Sequence, residues 1–411
     1  MYVAHAPEGS PLYEPDRRHR AVPPPTNAAG PRAARLPAAV REDMRCFAAA
    51  LRVHIAQLYP DAADLGPDTV RDLLGLPDDL YLSPALLTQV ASRLHETLVQ
   101  PVRHLVDGGG QRWRPYLLAK VIDALGGDSR RFGPLLAAGE LMHTGSLIVD
   151  DIEDGAGLRR GRQAAHLAFG VPTALNAGTA AYLAFHRALR TVLPDDPPLR
   201  TAVQDAYLQA LRSAHAGQGL DIAGLGTEMD IAVETGDASL LLERVRLTHR
   251  LKSGVPVRAA FDVGALLTGA PPGLRQALCR FGEAIGTAYQ ITDDVLDLRG
   301  VTLSGVTTKA VAEDFRNGKV TMPLAHAVSL LPPERMRAMW QRVHQGRPTE
   351  ESLREDVSAL RECGALEACV KESEQLLDAA WTTLQPDMPR TPAALCIRAV
   401  AGYTVNRARV A

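Results

Sequence analysis

The stretch SLIVDDIED carries the first chemical signal of this 411-residue sequence, because an apolar run ends there on carboxylates. Asp150 and Asp154 are four residues apart and share one face of a helix, with Asp151 close beside them. Like charges at this spacing repel each other, so a bound cation is one reason for such a cluster. A solvated acidic helix end is an equally good interpretation while the motif stands alone.

The same spacing returns about 140 residues later in YQITDDVLD, where Asp293, Asp294 and Asp297 follow a second apolar run. Two such helices can face each other in a bundle and project both clusters into one cavity. Six carboxylates there require compensating cations. Oxygen ligands suit Mg²⁺, or Mn²⁺ in its place, and Mg²⁺ in proteins usually also binds substrate phosphates. The sequence therefore predicts a metal-dependent site for a di- or triphosphate.

Lysine is scarce in this chain, with five lysines among 45 Lys and Arg residues. Three of the five lie near the acidic motifs or in a short Gly-containing segment: Lys252 in THRLKSG, and Lys309 and Lys319 in TTKAVAEDFRNGKV. Ordinary surface lysines are the competing interpretation. Arg159 and Arg160 follow the first motif and can clamp phosphate oxygens with paired N–H groups. These five side chains are the predicted phosphate contacts.

A glycine-rich stretch, DGGGQRWRP, precedes the first motif and offers backbone N–H groups beside Arg112 and Arg114, a setting that suits an anion. His143 lies almost two helical turns before Asp150 and therefore on roughly the same face. It is either a buried core histidine or a residue that faces the cavity.

Apolar residues recur at three- and four-residue intervals from about Pro37 onward, and period-two alternation is scarce. Gly- and Pro-containing segments such as TGAPPGL punctuate the helical stretches. The pattern predicts an all-α fold for residues 39–411. Residues 1–38 are rich in Pro, Ala and Arg without apolar periodicity, which predicts a disordered extension.

The composition argues against several classes of function. A formal net charge of −2 gives no reason to expect nucleic acid as a partner. The five cysteines lack CxxC spacing, which indicates neither a disulfide framework nor a zinc site and favours a reducing compartment. The sequence shows no secretory h-region and no integral membrane segment. We therefore expect a globular, cytoplasmic protein.

Several motifs together resemble the trans-isoprenyl diphosphate synthase, or polyprenyl synthetase, family. They are GGQRWRP, ELMHTGSLIVDDIED, RRGRQAAHLAFG, GQGLD, LKSG, YQITDDVLD and KAVAEDFRNGK, and their order and spacing match from roughly residue 85 to the C-terminal end. The resemblance implies a single large bundle of long, mostly antiparallel helices around a deep central cavity, assembled as a homodimer. It also implies a prenyltransferase that joins an allylic diphosphate to isopentenyl diphosphate.

The resemblance gives roles to individual residues. An allylic diphosphate binds through Mg²⁺ to both aspartate clusters, and diphosphate leaves with assistance from Arg159, Lys252 and Lys309. Gln290 matches a glutamine near the reacting carbon, and Ser253 stands where the family usually has threonine.

Isopentenyl diphosphate is held, by the same resemblance, through Arg114, Arg160 and His143, and it attacks the allylic cation through its double bond. The chain departs from the family at Gln111, where the GGKR element usually has lysine. This departure removes a positive charge from the predicted isopentenyl diphosphate site.

Gly145 and Ser146 occupy the fifth and fourth positions before Asp150, where a bulky side chain would cap the growing tail. On a helix they lie roughly 6 to 7.5 Å below the first aspartate. Because neither is large enough to block the cavity, we expect a product of C20 or longer, such as geranylgeranyl diphosphate.

Two alternatives remain open. A terpene synthase or cyclase on the same scaffold would ionise a prenyl diphosphate without isopentenyl diphosphate, and the neutral Gln111 favours it. Arg114, Arg160 and His143 argue against a cyclase, since they would have little to bind there. The other alternative is a non-catalytic partner subunit, against which the two intact acidic motifs argue.

Overall fold

A computed structural model of the chain describes residues 36–77, 79–299, 301–303, 306–309, 312–344 and 349–410, with only the backbone described in the two strand segments after residue 300 and at Val410. Residues 1–35 of the predicted extension lie outside the described part of the chain. The first helix begins at Ala38. Within the described ranges, no helix combines the length and the hydrophobicity needed to cross a bilayer.

The predicted all-α class is confirmed, because helices build the described fold and its strands form only two short hairpins. The first nine helices are α1 Ala38–Leu58, α2 Pro67–Leu74, α3 Pro84–Leu94, α4 Gln100–Val106, α5 Trp113–Ala124, α6 Gly133–Glu153, α7 Ala165–Phe169, α8 Val171–Ala181 and α9 Ala184–Val192. The helices that follow are α10 Pro197–Ala223, α11 Gly226–Thr235, α12 Ser239–His249, α13 Val255–Leu267, α14 Pro272–Arg299, α15 Glu313–Arg316, α16 Met322–Ala327, α17 Pro333–His344, α18 Glu350–Glu362, α19 Ala365–Leu384 and α20 Pro392–Val410.

Shorter elements connect these helices. The antiparallel hairpins are β1 Leu158–Arg159 with β2 Arg162–Gln163, and β3 Val301–Leu303 with β4 Val306–Lys309. The 3₁₀ turns are Ala62–Asp64 and Ser129–Phe132, and the π-helical turns are His95–Val99 and Arg250–Gly254.

Among the residues that the structure describes, the buried apolar side chains form two clusters. One surrounds α6 and includes α4, α8 and α9, and the other surrounds α14 and includes α17, α19 and α20. Helix α5 contributes Leu118 and Ile122 to the first cluster and Leu117 and Val121 to the second. The helices that carry the two aspartate motifs therefore belong to different halves of the core, and α5 and α13 join those halves.

Helix α6 ends at Glu153, within the first aspartate motif. Asp154 takes the C-cap position, and Gly155 follows with a φ of 64°, a left-handed conformation that glycine adopts without steric cost. The N–H of Ala156 donates to the carbonyl of Asp151 at 2.9 Å and closes the last turn. Helix α14, in contrast, continues through the second motif to Arg299.

Candidate active site

The first aspartate cluster is contacted by two lysines from other elements. Lys252 Nζ lies 3.1 Å from Asp150 Oδ1, and Lys319 Nζ lies 2.8 and 3.0 Å from the two carboxylate oxygens of Asp154. The same two ammonium groups approach Asp221 Oδ2 of α10, at 2.8 and 3.7 Å. Two of the three lysines predicted to bind phosphate are therefore gathered at the predicted aspartates.

Arg159 connects the first two aspartates of the motif. Its Nε donates to Asp151 Oδ1 at 2.7 Å, and its Nη2 lies 3.5 Å from Asp150 Oδ2. Burial alone would raise the pKa of Asp150, but Lys252 and Arg159 hold that pKa below its ordinary value, so this group is charged at neutral pH. Asp151 is fully buried, and burial raises its pKa despite Arg159. In the described part of the chain, no hydrogen-bond partner reaches Asp151 Oδ2.

Helix α10 contributes two polar residues of the GQGLD motif that sequence reasoning missed. Gln218 Nε2 donates to Asp150 Oδ1 at 3.0 Å and to Glu153 Oε2 at 2.7 Å, and Asp221 accepts from Lys252. The available signal was their spacing, because residues three apart share one helix face. These two side chains orient Asp150 and Lys252, which both belong to the predicted site.

The π-helical turn after α12 brings Lys252 and Ser253 to the site. Such turns insert an extra residue into a helix and are frequent at functional sites. Glycines of neighbouring helices allow the close approach: a Cβ on Gly286 of α14 would clash with the carbonyl of Ser253, and a Cβ on Gly217 of α10 would lie 2.6 Å from the amide of Lys252.

Asp293 is the accessible member of the second cluster, with 41% of its side chain exposed. Arg407 Nη2 of α20 lies 3.5 Å from Asp293 Oδ1, and the same guanidinium lies 3.7 Å from the ring centre of Tyr289. Arg407 was not predicted, since nothing in the C-terminal sequence distinguishes it from the other arginines. It adds a cation from the last helix to the second cluster.

Asp294 and Asp297 are buried, and both carboxylates bind backbone amides beyond β4. The N–H of Met322 donates to Asp294 Oδ2 at 2.9 Å, and the N–H of Asp314 donates to Asp297 Oδ2 at 3.3 Å. The segment attached in this way contains Lys319 of the first cluster. The second motif thus helps to position a lysine that contacts the first motif.

A separate basic grouping lies about two helical turns before the first cluster. Arg114 Nη1 is 3.2 Å from His143 Nε2. Burial, reinforced by Arg114, lowers the pKa of His143 well below its ordinary value, so the imidazole is neutral and accepts this hydrogen bond. The Arg114 guanidinium lies 4.3 Å from the ring centre of Trp113 and 5.3 Å from that of Tyr289.

Arg160 lies beside this grouping and is bound by the buried carboxylate of Glu140, one turn before His143. Its Nη1 also donates to the carbonyl of Leu105 at 3.2 Å. Sequence reasoning missed Glu140, although a lone carboxylate within an apolar helical run was a signal, because glutamate is almost never fully buried unless it is paired.

Two further predicted contacts are paired with protein groups. Gln111 is exposed, and its Nε2 donates to Tyr403 Oη of α20 at 3.2 Å. Ser253 Oγ donates to Gln290 Oε1 at 2.7 Å, which joins two residues predicted to contact substrate. The first pair links the glycine-rich loop to α20, and the second links the π-helical turn to α14.

The structure places the remaining predicted residues as follows. Gly145 lies at a helix crossing, where a Cβ would clash with the carbonyl of Gly178 on α8. Ser146 Oγ donates to the carbonyl of His143 at 2.8 Å within α6. Lys309 ends strand β4, whose backbone approaches β1, and its side chain is outside the described part of the structure.

Comparison with known proteins places this chain in a family. A family model described as polyprenyl synthetase matches residues 95–360. The geranylgeranyl pyrophosphate synthase of Geoglobus acetivorans is 30% identical over 312 residues, which cover 76% of this chain and 91% of that protein. This chain belongs to the polyprenyl synthetase family.

Other polyprenyl synthetases agree with this assignment. The octaprenyl diphosphate synthase of Escherichia coli is 27% identical over 343 residues, 83% of this chain and 97% of that one. A geranylgeranyl pyrophosphate synthase from Corynebacterium glutamicum, complexed with isoprenyl diphosphate and magnesium, has a TM-score of 0.63 at 24% identity, covering 84% of this chain and 99% of that one. This last likeness shows the fold. The chain is thus a prenyltransferase, a trans-prenyl diphosphate synthase, whose product length the family does not determine.

The residues of this polyprenyl synthetase fit a hard divalent cation by their chemistry. Within the ranges that the structure describes, no group of three or more His, Cys, Asp or Glu side chains is already arranged around a metal position. Asp150 and Asp154 nevertheless offer oxygen ligands at one helix end, and side-chain ammonium groups, which can exchange, lie beside them. Carboxylate oxygens of this kind are the ligands that Mg²⁺ prefers.

Proposed function

We propose that this polyprenyl synthetase condenses an allylic diphosphate with isopentenyl diphosphate to give a longer trans-prenyl diphosphate. One observation carries the proposal: helix α6 contacts two separate basic groupings. Lys252 and Lys319 lie at the aspartate cluster, whereas Arg114 contacts His143, about 10 Å earlier along the helix. A synthase that joins two diphosphates needs two anion sites, whereas a cyclase needs only one.

The aspartate end would bind the allylic diphosphate. Asp150, Asp154 and Asp293 are the proposed metal ligands, because each is partly exposed and lies beside a side-chain cation that can exchange. Bound Mg²⁺ would neutralise the charge that develops on the departing diphosphate. Lys252 and Lys319, released from the carboxylates, would donate to the diphosphate oxygens. The use of Mn²⁺ in place of Mg²⁺ stays a prediction, and so does a phosphate contact from the Lys309 side chain.

The other three predicted metal ligands take a supporting role in this proposal. Asp151 is fully buried and holds Arg159 toward the site. Asp294 and Asp297 are buried and hold backbone amides. The predicted set of six ligands is therefore narrowed to three.

The basic grouping on the other side would bind isopentenyl diphosphate. Arg114 and Arg160 supply charged donors, and Gln111 supplies a neutral one. The C–O bond of the allylic diphosphate breaks, the isopentenyl double bond attacks the resulting cation, and a proton leaves to the released diphosphate. Gln290, oriented by Ser253, would face the reacting carbon. No side chain needs to act as a nucleophile.

We propose a product of C20 or longer, with Ser146 rather than Gly145 at the position that limits the tail. Gly145 contacts α8, so a larger side chain there would separate two helices instead of capping a cavity. Replacing Ser146 by Phe should shorten the product, and chromatography of the dephosphorylated products measures the change. An unchanged product distribution in the folded variant would place the floor of the cavity elsewhere.

We also propose that the enzyme is a homodimer and works in the cytoplasm. Large apolar side chains on and after α8 are exposed in the single chain, with Val171 at 47%, Leu175 at 44% and Leu183 at 69%. A second copy would remove these surfaces from water. Sedimentation equilibrium tests the dimer, and a monomer at micromolar concentration would contradict it.

The deciding experiment is product analysis with Mg²⁺ and a C15 allylic diphosphate, with and without isopentenyl diphosphate. We expect a longer prenyl diphosphate only when isopentenyl diphosphate is present, and no turnover in chelator. Hydrocarbon or alcohol formed from the C15 substrate alone would support a cyclase. No product under either condition would support a non-catalytic subunit.

A further inference from the structure

Glu140 of α6 joins two arginines that come from different loops. Its Oε1 accepts from Arg112 Nη1, in the glycine-rich loop, and lies 3.3 Å from Arg160 Nη2, after the β1 strand. Only 3% of the Glu140 side chain is exposed, and the two arginines expose 8% and 14%. We call these three residues the Glu140 triad.

Both arginines of the Glu140 triad are also held by main-chain carbonyls at the end of α4. Arg112 donates to the carbonyl of Val106, and Arg160 donates to the carbonyl of Leu105 at 3.2 Å. These contacts with described residues engage two nitrogen atoms of each guanidinium, which has five N–H donors. Donors therefore remain on both groups for an anion.

The backbone of the two arginines is left-handed. Arg112 has a φ of 54° and Arg160 a φ of 53°, in a region that costs free energy for residues other than glycine. Such conformations persist when surrounding contacts impose them, and they cluster at binding sites. The contacts that fix both side chains here converge on one carboxylate.

The position of the triad separates it from the aspartate clusters. Glu140 precedes Asp150 by almost three helical turns, about 15 Å. One turn after Glu140, His143 binds Arg114, so consecutive turns of α6 contact three arginines. The triad belongs to the end of the site where we place isopentenyl diphosphate.

We propose that Glu140 is a positioning residue for isopentenyl diphosphate: its carboxylate orients Arg112 and Arg160 so that both present N–H donors to that diphosphate. The inference rests on the proposed elongation function. It gains weight from Gln111, because a site without the usual lysine depends on the orientation of its arginines. Without Glu140, the two buried guanidinium groups repel each other and lose their shared partner.

A role for Glu140 in charge balance alone would have the opposite effect on isopentenyl diphosphate binding. If Glu140 only balanced charge, its removal would leave more net positive charge beside the diphosphate and would tighten binding. The two roles therefore predict opposite changes in the KM for isopentenyl diphosphate.

The test is steady-state kinetics of the full-length enzyme carrying Glu140→Gln or Glu140→Asp. We expect Glu140→Gln to raise the KM for isopentenyl diphosphate on the order of tenfold, as the loss of a charge-assisted contact would. The kcat and the KM for the allylic substrate should stay within about twofold, because the aspartate clusters are unchanged. Glu140→Asp keeps the charge and should recover part of the loss.

Asp356→Asn is the matched control. Asp356 is equally buried, with 3% of its side chain exposed, and binds Arg342 outside the candidate active site. This variant should lower the melting temperature as Glu140→Gln does and leave both KM values unchanged.

An unchanged or lowered KM for isopentenyl diphosphate in folded Glu140→Gln would overturn the inference. If Glu140→Gln does not fold, kinetics of Glu140→Asp test the inference. We then expect the KM for isopentenyl diphosphate to rise about threefold, and an unchanged KM would contradict the inference. A wild-type enzyme that never incorporates isopentenyl diphosphate would instead refute the proposed elongation function, and the inference with it.

Discussion

The two aspartate clusters share one spacing but differ in what holds their carboxylates. In the first cluster, Asp150 and Asp154 are partly exposed and contact the ammonium groups of lysines. In the second cluster, Asp294 and Asp297 are buried and accept hydrogen bonds from backbone N–H groups. A side-chain cation can be displaced by a metal ion, whereas a buried amide left without its acceptor is costly.

The position of each motif in its helix explains the difference. The first motif lies at the end of α6, where the chain turns away and leaves Asp150 and Asp154 partly exposed, although Asp151 is buried. The second lies within α14, which is packed against α13 and α19. Identical spacing therefore gives mostly accessible carboxylates, the proposed metal ligands, in one place and mostly structural anchors in the other.

The largest expected effect comes from Asp150→Asn, which should lower kcat by at least about a hundredfold, because the variant loses the charge of a proposed metal ligand. The free energy of unfolding should change by less than about 1 kcal/mol, since the side chain is partly exposed. Activity assays over a Mg²⁺ titration and urea unfolding measure the two effects. Full activity of this variant would remove Asp150 from the proposed ligands.

Asp294→Asn should act mainly on stability. The change removes the charge that His249, 3.3 Å away, and the Met322 amide both contact. A loss of about 1–3 kcal/mol in the free energy of unfolding is expected for a buried charged hydrogen-bond partner. Urea unfolding compares the free energies of unfolding of Asp294→Asn and Asp150→Asn. Equal stability of the two variants would contradict the proposed difference between the clusters.

Gln111→Lys tests a part of the site that is linked to the second cluster through α20, which carries both Tyr403 and Arg407. A charge-assisted bond in place of a neutral one should lower the KM for isopentenyl diphosphate by roughly threefold to thirtyfold. The KM for the allylic substrate should barely move. Steady-state kinetics with each substrate varied in turn measures both values, and equal shifts in both would contradict two separate anion sites.

The smallest expected effect concerns Glu372 of α19. Its carboxylate contacts His326 of α16, the helix whose first residue, Met322, donates to Asp294. Burial alone would raise the pKa of Glu372, but Arg246 and His326 lower it to about 2, from an ordinary value of 4.5. Because the folded pKa is the lower one, this contribution to stability is present above pH 4.5 and is lost as the pH falls toward 2.

Glu372→Gln measures that contribution. The wild type should be more stable by about 1 kcal/mol at neutral pH, a modest value because Arg246 is partly exposed and solvent screens the pair. Denaturant unfolding at several pH values should show the difference closing between pH 4.5 and 2. A difference independent of pH would mean that the carboxylate charge contributes nothing.

The sequence predicted the helical class and the aspartates because both depend on local spacing. The burial of Asp294 was not predictable, since it depends on how α14 packs against helices distant in sequence. The orientation of Gly145 toward α8 was missed for the same reason. Residues such as Glu140 and Arg407 act through partners far along the chain, and a pattern of residue types does not contain those contacts.

The π-helical turn at Arg250–Gly254 also sets the rotational phase of the long helical rod formed by α12 and α13. An α-helix advances about 100° per residue, so one inserted residue rotates all that follows by that angle. The two halves can therefore face different neighbours, α12 toward α16 and α13 toward α5 and α14, while the rod continues in one direction. Without the inserted residue, one half of the rod would be rotated by about 100° relative to the other, and the two halves could not both keep the neighbours they have here.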